Sequence, residues 1–505
     1  MKKLFLPLAL LLSLTACQPE SSAADPWEAH RELVLGEEPL PLSGSWDVVL
    51  RIYDVESVAR LEYLRVEDAV YLRREIVEGA DRGEVVLGAA GAFEKSFGGA
   101  VRRLSAKESE SAKLVAFLLS GEYLDVEADL VLADDGTAEV VFQRPEGEYL
   151  LRLDSDGNLT SGYASLAESY YDLEFGSPRD TFPHLPQSLT IYPDGEPVQE
   201  VILTDYNSAD ALTAEHFNKP AGSGMSYDYD ESAALPFRIV NGQLLVTVLM
   251  NGVEVELVLD SGATASYITA GTAKRLELRE LGVGSVVSAG NDVSEYGLGV
   301  LDELTLGSVT LTDQLFVMGD SSLLLALAAP HLDGLLGYDL LARLPVRLDF
   351  TTGLLELLPP DEEPAIAEGA IVLPLELPGR LPVLTGELNG VPNLRLALDS
   401  GAALEMLVLP RSSNRLMSAA GLSATDGVLM SFAGLGGAMP TLMFRDSELR
   451  LEGYLATVGR VFYAMGDADG PLSIIDADAL LGLPFLLNFS RVTFDYPRER
   501  LILEP

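Results

Sequence analysis

From about Ala29 to Phe217 the chain alternates apolar and polar positions with a period of two: WDVVLRIYDV, AVYLRREIV, LDVEADLVLAD, TAEVVFQRP, YLLRLDSDGNL, QSLTIYPDG and QEVILTDY. That period marks strands with one buried face. Turn pairs Asp135-Gly136, Asp156-Gly157 and Asp194-Gly195 separate several of them, and such pairs close hairpins because both residues tolerate a left-handed backbone. Ser105 to Leu119 departs from the alternation and predicts a helix. Segment 29–217 is therefore expected to be an α+β accessory domain, an antiparallel curved or barrel-like sheet with a helix on it. It holds no cluster with evident catalytic chemistry, which suits a spacer or docking module.

The start of the chain follows another pattern. MKKLFLPLALLLSLTACQ has two lysines, then an apolar run from Leu4 to Leu12 broken by Pro7, then small residues before Cys17. The run is short for a bilayer span and predicts an export signal over 1–16. Leu14-Thr15-Ala16-Cys17 resembles a bacterial lipobox. That resemblance implies cleavage before Cys17 and acylation of the new terminus, and several acyl chains anchor far better than one. Gln18 resembles the sorting signal for the outer membrane in Gram-negative bacteria. The expected location is thus exported, anchored by lipid to the outer membrane and facing the periplasm, with 17–28 as a small, polar tether.

Two further stretches interrupt the alternation. NKPAGSGMSYDYDESAA, over 218–234, is rich in Gly, Ser and Asp, and PPDEEPAIAEGA ends in a second such segment, 360–370. Both read as linkers. The parts they delimit, 235–359 and 371–505, repeat one another. Leu235-Pro236-Phe237 matches Leu373-Pro374-Leu375, and Asn251-Gly252-Val253 matches Asn389-Gly390-Val391, each at an offset of 138. LVLDSGA around Asp260 matches LALDSGA around Asp399 at 139. GLLGYDLL matches ALLGLPFL at 145, and the strand from Val346 matches that from Val492 at 146. Five blocks in one order, with an offset that drifts as loops lengthen, mark an internal duplication.

Each copy carries an apolar strand that ends in Asp-Ser-Gly-Ala: Asp260-Ser261-Gly262-Ala263 and Asp399-Ser400-Gly401-Ala402. The strand delivers the aspartate to the end of a buried sheet. The glycine is expected to permit a tight turn that brings amides to the carboxylate. The serines can donate hydrogen bonds across a two-fold axis. Pairing the copies would place two carboxylates together, and two such groups cannot both ionise easily, so they would share a proton.

On these residues the chain resembles the pepsin-like and retropepsin-like aspartic peptidases, two lobes fused in one chain. Leu335-Leu336-Gly337 and Leu480-Leu481-Gly482 match that family's hydrophobic-hydrophobic-Gly element, whose strand braces the Asp loop. The implied fold is mostly β, two retropepsin-like β-barrel lobes forming a bilobal molecule. The implied activity is hydrolysis of a polypeptide substrate by water activated between Asp260 and Asp399, with no metal, cofactor or covalent intermediate. Hairpins after the Asp loops would cover the substrate: Gly290 and Tyr296 in the first, Gly434 in the second. Ala263 and Ala402 stand where pepsins tend to carry a hydroxyl, so the shared proton should be held more tightly and activity should lie at mildly acidic to near-neutral pH. The second copy departs from the pattern at Ala403-Leu404-Glu405-Met406-Leu407 and at Leu483-Pro484, which predicts a looser second lobe. Alternatives stay open: an inactive protein of this fold that binds peptides or lipoproteins, or lobes paired between chains rather than within one.

Composition narrows the field. Lys and Arg number 34 against 77 Asp and Glu, a formal charge of −43. Such a surface repels nucleic acid and anionic lipid. A single cysteine excludes intrachain disulfides and thiolate zinc clusters. His30, His184, His216 and His331 form no HExxH, and there is no G-x-S-x-G elbow. Asp349 and Asp495 match each other but lie in terminal strands before turns, and are expected to be structural. Asp154-Ser155-Asp156-Gly157 shows that a similar tetrad also serves as an ordinary turn.

Overall fold

The computed structural model describes residues 25–505 except 36–40, 53–54, 67–68, 80–82, 134, 167–168, 182–183, 194–197, 209–211, 228–233, 288–292, 320–331, 435–436 and 467–474. The signal segment, Cys17, most of the tether, the Asp194-Gly195 turn, Gly290 and His331 lie outside the described residues.

The N-terminal part is one antiparallel sheet of thirteen strands. Its first and last long strands, Ser43–Ile52 and Gln199–Asn207, pair in the middle, and hairpins extend from them to two edges, Val101–Arg103 and Asp129–Leu132. The helix Ala106–Leu119 links those edges. Ser105 and Glu108 form a reciprocal capping box at its start, which satisfies two orphaned donors of the first turn. Leu114, Phe117 and Leu118 are buried with Trp46, Tyr63, Phe142 and Tyr149, so the helix closes the core of the curved sheet.

A second helix, Pro26–Leu35, takes in residues 26–28, which the sequence assigned to the tether. Trp27 packs against Phe142 and stacks on His30, and this aromatic burial ends the tether early. His30 Nδ1 lies 2.8 Å from the Gly157 carbonyl and Nε2 lies 2.9 Å from the Tyr123 hydroxyl. A carbonyl only accepts, so Nδ1 carries the hydrogen and Nε2 accepts from Tyr123.

The repeated halves are mostly β. In the first, the sheet closes on itself through Gln243–Met250 and Val293–Leu306, where Leu249 faces Thr305. In the second, Val383–Leu388 closes on Gly437–Leu451, where Glu387 faces Arg450. In each, the Asp strand pairs in parallel with the Leu-Leu-Gly strand: Leu257 to Leu259 with Gly334 to Leu336, and Leu396 to Asp399 with Ala479 to Gly482.

The terminal strands belong to neither barrel. Val346–Asp349 and Arg491–Asp495 pair antiparallel at the centre of a shared sheet, flanked by Leu354–Leu357 and Ala234–Val240 on one side and Arg500–Glu504 and Ile371–Pro374 on the other. The lobes are thus joined by continuous backbone hydrogen bonding rather than by a free linker. Segment 360–370 is pinned to that sheet: Arg498 donates to the carbonyls of Pro360 and Glu362, and Arg347 to that of Ala365. Part of segment 218–234 is pinned as well, since Met225–Tyr227 pairs with Val309 to Leu311. Asp349 accepts from Thr351 and Thr352 in its turn, and Asp495 is ion-paired with Arg498 and Arg500. Both are structural groups in this fold. Asp154 accepts from the amides of Asp156 and Asn158 in a hairpin turn.

Candidate active site

The two Asp loops meet across the lobe junction. Asp260 leaves its strand with its amide donating to the Leu336 carbonyl at 2.8 Å, and Asp399 lies beside Gly482 in the matching ladder. Gly262 donates its N–H to Asp260 Oδ1 at 2.8 Å, and Gly401 donates to Asp399 Oδ1 at 3.0 Å.

Between the loops the serines exchange four hydrogen bonds. Ser261 Oγ donates to the Leu398 carbonyl at 3.0 Å and accepts from the Ser400 amide at 2.9 Å. Ser400 Oγ donates to the Leu259 carbonyl at 2.9 Å and accepts from the Ser261 amide at 2.9 Å. Both serines are 1 % exposed, so loss of either hydroxyl would strand two buried backbone groups. All four bonds run between the two repeats.

The reason for the glycines is space. Neither Gly262 nor Gly401 has a left-handed backbone. A Cβ on Gly262 would stand 2.5 Å from Asp399 Cγ, and one on Gly401 would stand 2.5 Å from Asp260 Oδ2. Each loop therefore presents its glycine to the opposite aspartate, which brings the two carboxyls together at the junction, where each feels the other. Burial pushes Asp260 up from the usual carboxylate range. Burial, joined by the charge of Asp260, pushes Asp399 well above it. One proton held between two such groups relieves their repulsion.

The braces are built alike in both lobes. Tyr338 N–H donates to the Ala263 carbonyl at 3.0 Å, and Leu483 N–H donates to the Ala402 carbonyl at 2.9 Å. Leu336 and Leu481 are buried beneath the loops. Gly337 and Gly482 leave no room for a side chain, since a Cβ on Gly337 would lie 2.6 Å from the Ala263 carbonyl oxygen and one on Gly482 would lie 2.7 Å from that of Ala402. The departures in the second lobe do not loosen it. In the first, Ser266 Oγ accepts from the Gly337 amide and Asp339 accepts from the Ser266 amide. In the second, the Glu405 carbonyl accepts from Gly482, while its carboxylate accepts from the amides of Gly459 and Arg460 at 3.0 and 3.1 Å. The main-chain carbonyl of Glu405 thus takes the place of the Ser266 hydroxyl at the brace glycine, and its carboxylate ties the loop to the neighbouring strand Tyr454–Ala464.

Tyr296 lies on the hairpin strand Val293–Leu306, its ring 6.3 Å from that of Tyr267 and packed over Gly319. In that hairpin Tyr296 faces Gly284 of the strand Arg279–Val287. Gly434 ends the strand Val428–Gly434 and faces Gly437.

One participant has no sequence signal. Gln243 is buried and donates from Nε2 to the Gly401 carbonyl at 2.7 Å. Its counterpart at the repeat offset is Leu381, so the bond secures the second Asp loop from the first lobe without a symmetric partner.

The family model described as Aspartyl protease matches residues 246–340. That span contains the first Asp-Ser-Gly loop and its brace. Over those residues the fold is aspartic-peptidase-like. No curated protein matches the chain. Among solved structures, an aspartic proteinase from Irpex lacteus is similar at 15% identity, covering 54% of this chain and 96% of that one with a TM-score of 0.31. A retropepsin-like aspartic protease from Rickettsia conorii is similar at 19% identity, over 27% of this chain and 88% of its own, with a TM-score of 0.19. A DUF1329 family protein from Desulfovibrio piger ATCC 29098 covers 39% of this chain and 98% of its own at 10% identity, with a TM-score of 0.26.

Proposed function

We propose that the protein is an aspartic endopeptidase that works as a single chain and hydrolyses peptide bonds with the Asp260/Asp399 pair. The observation that carries this is the reciprocal geometry of the loops: two carboxyls in mutual reach, each facing the other loop's glycine, above four serine-mediated bonds. With one proton on the pair, the ionised carboxylate takes a proton from a water between them. The water oxygen bonds to the peptide carbonyl carbon while the protonated carboxyl hydrogen-bonds the carbonyl oxygen. Collapse of the tetrahedral intermediate breaks the C–N bond, and a proton passes to the leaving nitrogen. Fixed donors in a cleft need no reorganisation as charge develops.

The export signal and the Cys17 lipobox support a lipid-anchored placement at the outer membrane, facing the periplasm. The substrate would then be an exported polypeptide in an extended form.

Cleavage of an unfolded labelled polypeptide tests the reading. Wild type is expected to cleave it, and Asp260→Asn and Asp399→Asn are each expected to lose nearly all activity. A pepstatin-type transition-state mimic should bind wild type far more tightly than either variant. Tight binding of peptides without turnover by wild type would replace the proposal with a peptide-binding role.

A further inference from the structure

Buried charges attach the N-terminal domain to the segment Leu377 to Arg380, which packs against the turn behind the first Asp loop. Glu94, on the edge hairpin of that domain, receives a two-pronged contact from Arg380, at 2.9 Å to Oε1 and 3.3 Å to Oε2. Arg102 on the same hairpin bonds Glu94 at 2.7 Å and Glu108 at 2.7 Å, and donates to the Leu377 carbonyl at 3.0 Å. Glu108 also accepts from the Gly379 amide at 2.8 Å. Burial alone would raise Glu94, but Arg380 and Arg102 reverse it and hold the carboxyl well below its usual range.

From this cluster a chain of contacts runs to the dyad. The Arg380 guanidinium lies 5.8 Å over the ring of Tyr338. Tyr338 opens the helical turn Tyr338–Leu341, and its N–H is the brace bond to Ala263, three residues from Asp260. Its ring neighbours that of Tyr496 at 6.5 Å. A second arm grips the same turn. Arg343 is 7 % exposed; it donates to the carbonyls of Asp339, of Gly98 in the N-terminal domain and of Ser223 in the connecting segment. The corresponding residue of the second lobe, Asn488, bonds the Pro484 and Phe485 carbonyls of its own turn.

Arg380 also sits at φ 69°, a left-handed conformation uncommon for a residue with a long side chain. Its side-chain contacts hold it there, and such strain is retained where the surroundings over-determine it.

We propose that the hairpin around Glu94 and Gly98 is a positioning element for Asp260, which makes the N-terminal domain an integral part of the catalytic unit rather than a separable module. The proposal rests on the endopeptidase reading for its kinetic consequence, but not for its structural one. Glu94, Arg380 and Arg343 act through the Tyr338–Leu341 turn, so they are positioning residues. Arg380 also lies two residues before Pro382, whose carbonyl accepts from the Leu398 amide beside Asp399 at 2.8 Å, whereas Arg343 grips the first lobe's turn alone.

The test uses the full chain and two readouts. Arg380→Gly relieves the left-handed backbone while deleting the guanidinium, so the fold is expected to persist. Amide hydrogen exchange should then quicken in 258–268 and stay at the wild-type rate in the remote strand Leu159–Leu166. In turnover, kcat per titrated site should fall roughly two- to thirtyfold, as expected for a coupling of this kind, with KM little changed. Glu94→Gln should act in the same direction, and Arg380→Lys should recover part of the loss. Unchanged exchange in 258–268, or equal quickening in Leu159–Leu166, would overturn the proposal. Absence of hydrolysis by wild type would sink the endopeptidase reading alone, because the exchange readout stands without it.

Discussion

Replacing Gly262 by alanine tests whether the loops are placed as described. The new methyl carbon would stand 2.5 Å from Asp399 Cγ and 2.6 Å from its Oδ1. Comfortable carbon contacts lie at about 3.5–4 Å, so the carboxyl or the loop must retreat by about 1 Å. A misplacement of ~1 Å can cost on the order of 10²-fold in rate, which is about 2.7 kcal/mol of activation free energy. The backbone at Gly262 is one alanine can adopt, so the fold should survive. Initial rates on an unfolded labelled polypeptide, with circular dichroism as the folding check, measure the effect. Gly271→Ala is the control, because it lies in the helix Ala270–Arg275 with open space where its Cβ would go. It should keep the wild-type rate. A folded Gly262→Ala enzyme that cleaves as fast as wild type would refute the assignment of Asp399 to the chemistry.

Three more outcomes are expected. Both aspartates are raised, so the singly protonated state should persist into mildly acidic to near-neutral pH; a pH–rate profile with its sole optimum near about pH 2 would contradict this. A carboxyl raised in the fold binds more protons there than in the unfolded chain. Its contribution is therefore complete below about pH 3.9 and is lost as pH rises through the folded value. Asp399→Asn should thus melt higher than wild type at neutral pH and show no such advantage at about pH 3.5; a pH-independent difference would be inconsistent. Burial lowers His30 to about 4 despite the bond to Gly157. The stability of its surroundings should be full above about pH 6.5 and fall towards pH 4, by on the order of 3 kcal/mol. Exchange in the Pro26–Leu35 helix, corrected for intrinsic rate, should quicken between pH 7 and 5 in wild type but not in His30→Gln, and equal behaviour would count against it.

The dyad was legible in the sequence because each half of it is local. An apolar strand, an Asp-Ser-Gly and a downstream Leu-Leu-Gly are short patterns whose glycines answer to steric demands, and the duplication multiplied a weak signal. The glycine amides do reach the carboxylates of their own loops, as the turn predicts; what the sequence does not display is that Gly262 and Gly401 also lack a side chain because the opposite aspartate occupies that space, contacts between residues 137 and 141 positions apart. Gln243 escaped notice because its partner is a backbone carbonyl 158 residues away and its repeat counterpart is Leu381. The sharing of the terminal strands between the repeats was hidden for a related reason: a strand's pattern tells which face is buried, not which strand lies beside it. Glu94 and Arg380 are 286 residues apart, and two charges among the 111 acidic and basic residues carry no mark of being paired. The alternation of the N-terminal sheet and the capped helix within it were readable, since period and cap are short-range properties.

The central claim is that Asp260 and Asp399 hold one proton jointly. Difference infrared titration of aspartate-labelled protein, wild type against Asp260→Asn, measures it directly. The expected result is a carboxylic acid band that persists in wild type at about pH 6, well above the ordinary aspartate value of about 3.9, and that changes when Asp260 is replaced. Two carboxyls that ionise together near that ordinary value, indifferent to each other's substitution, would contradict the account.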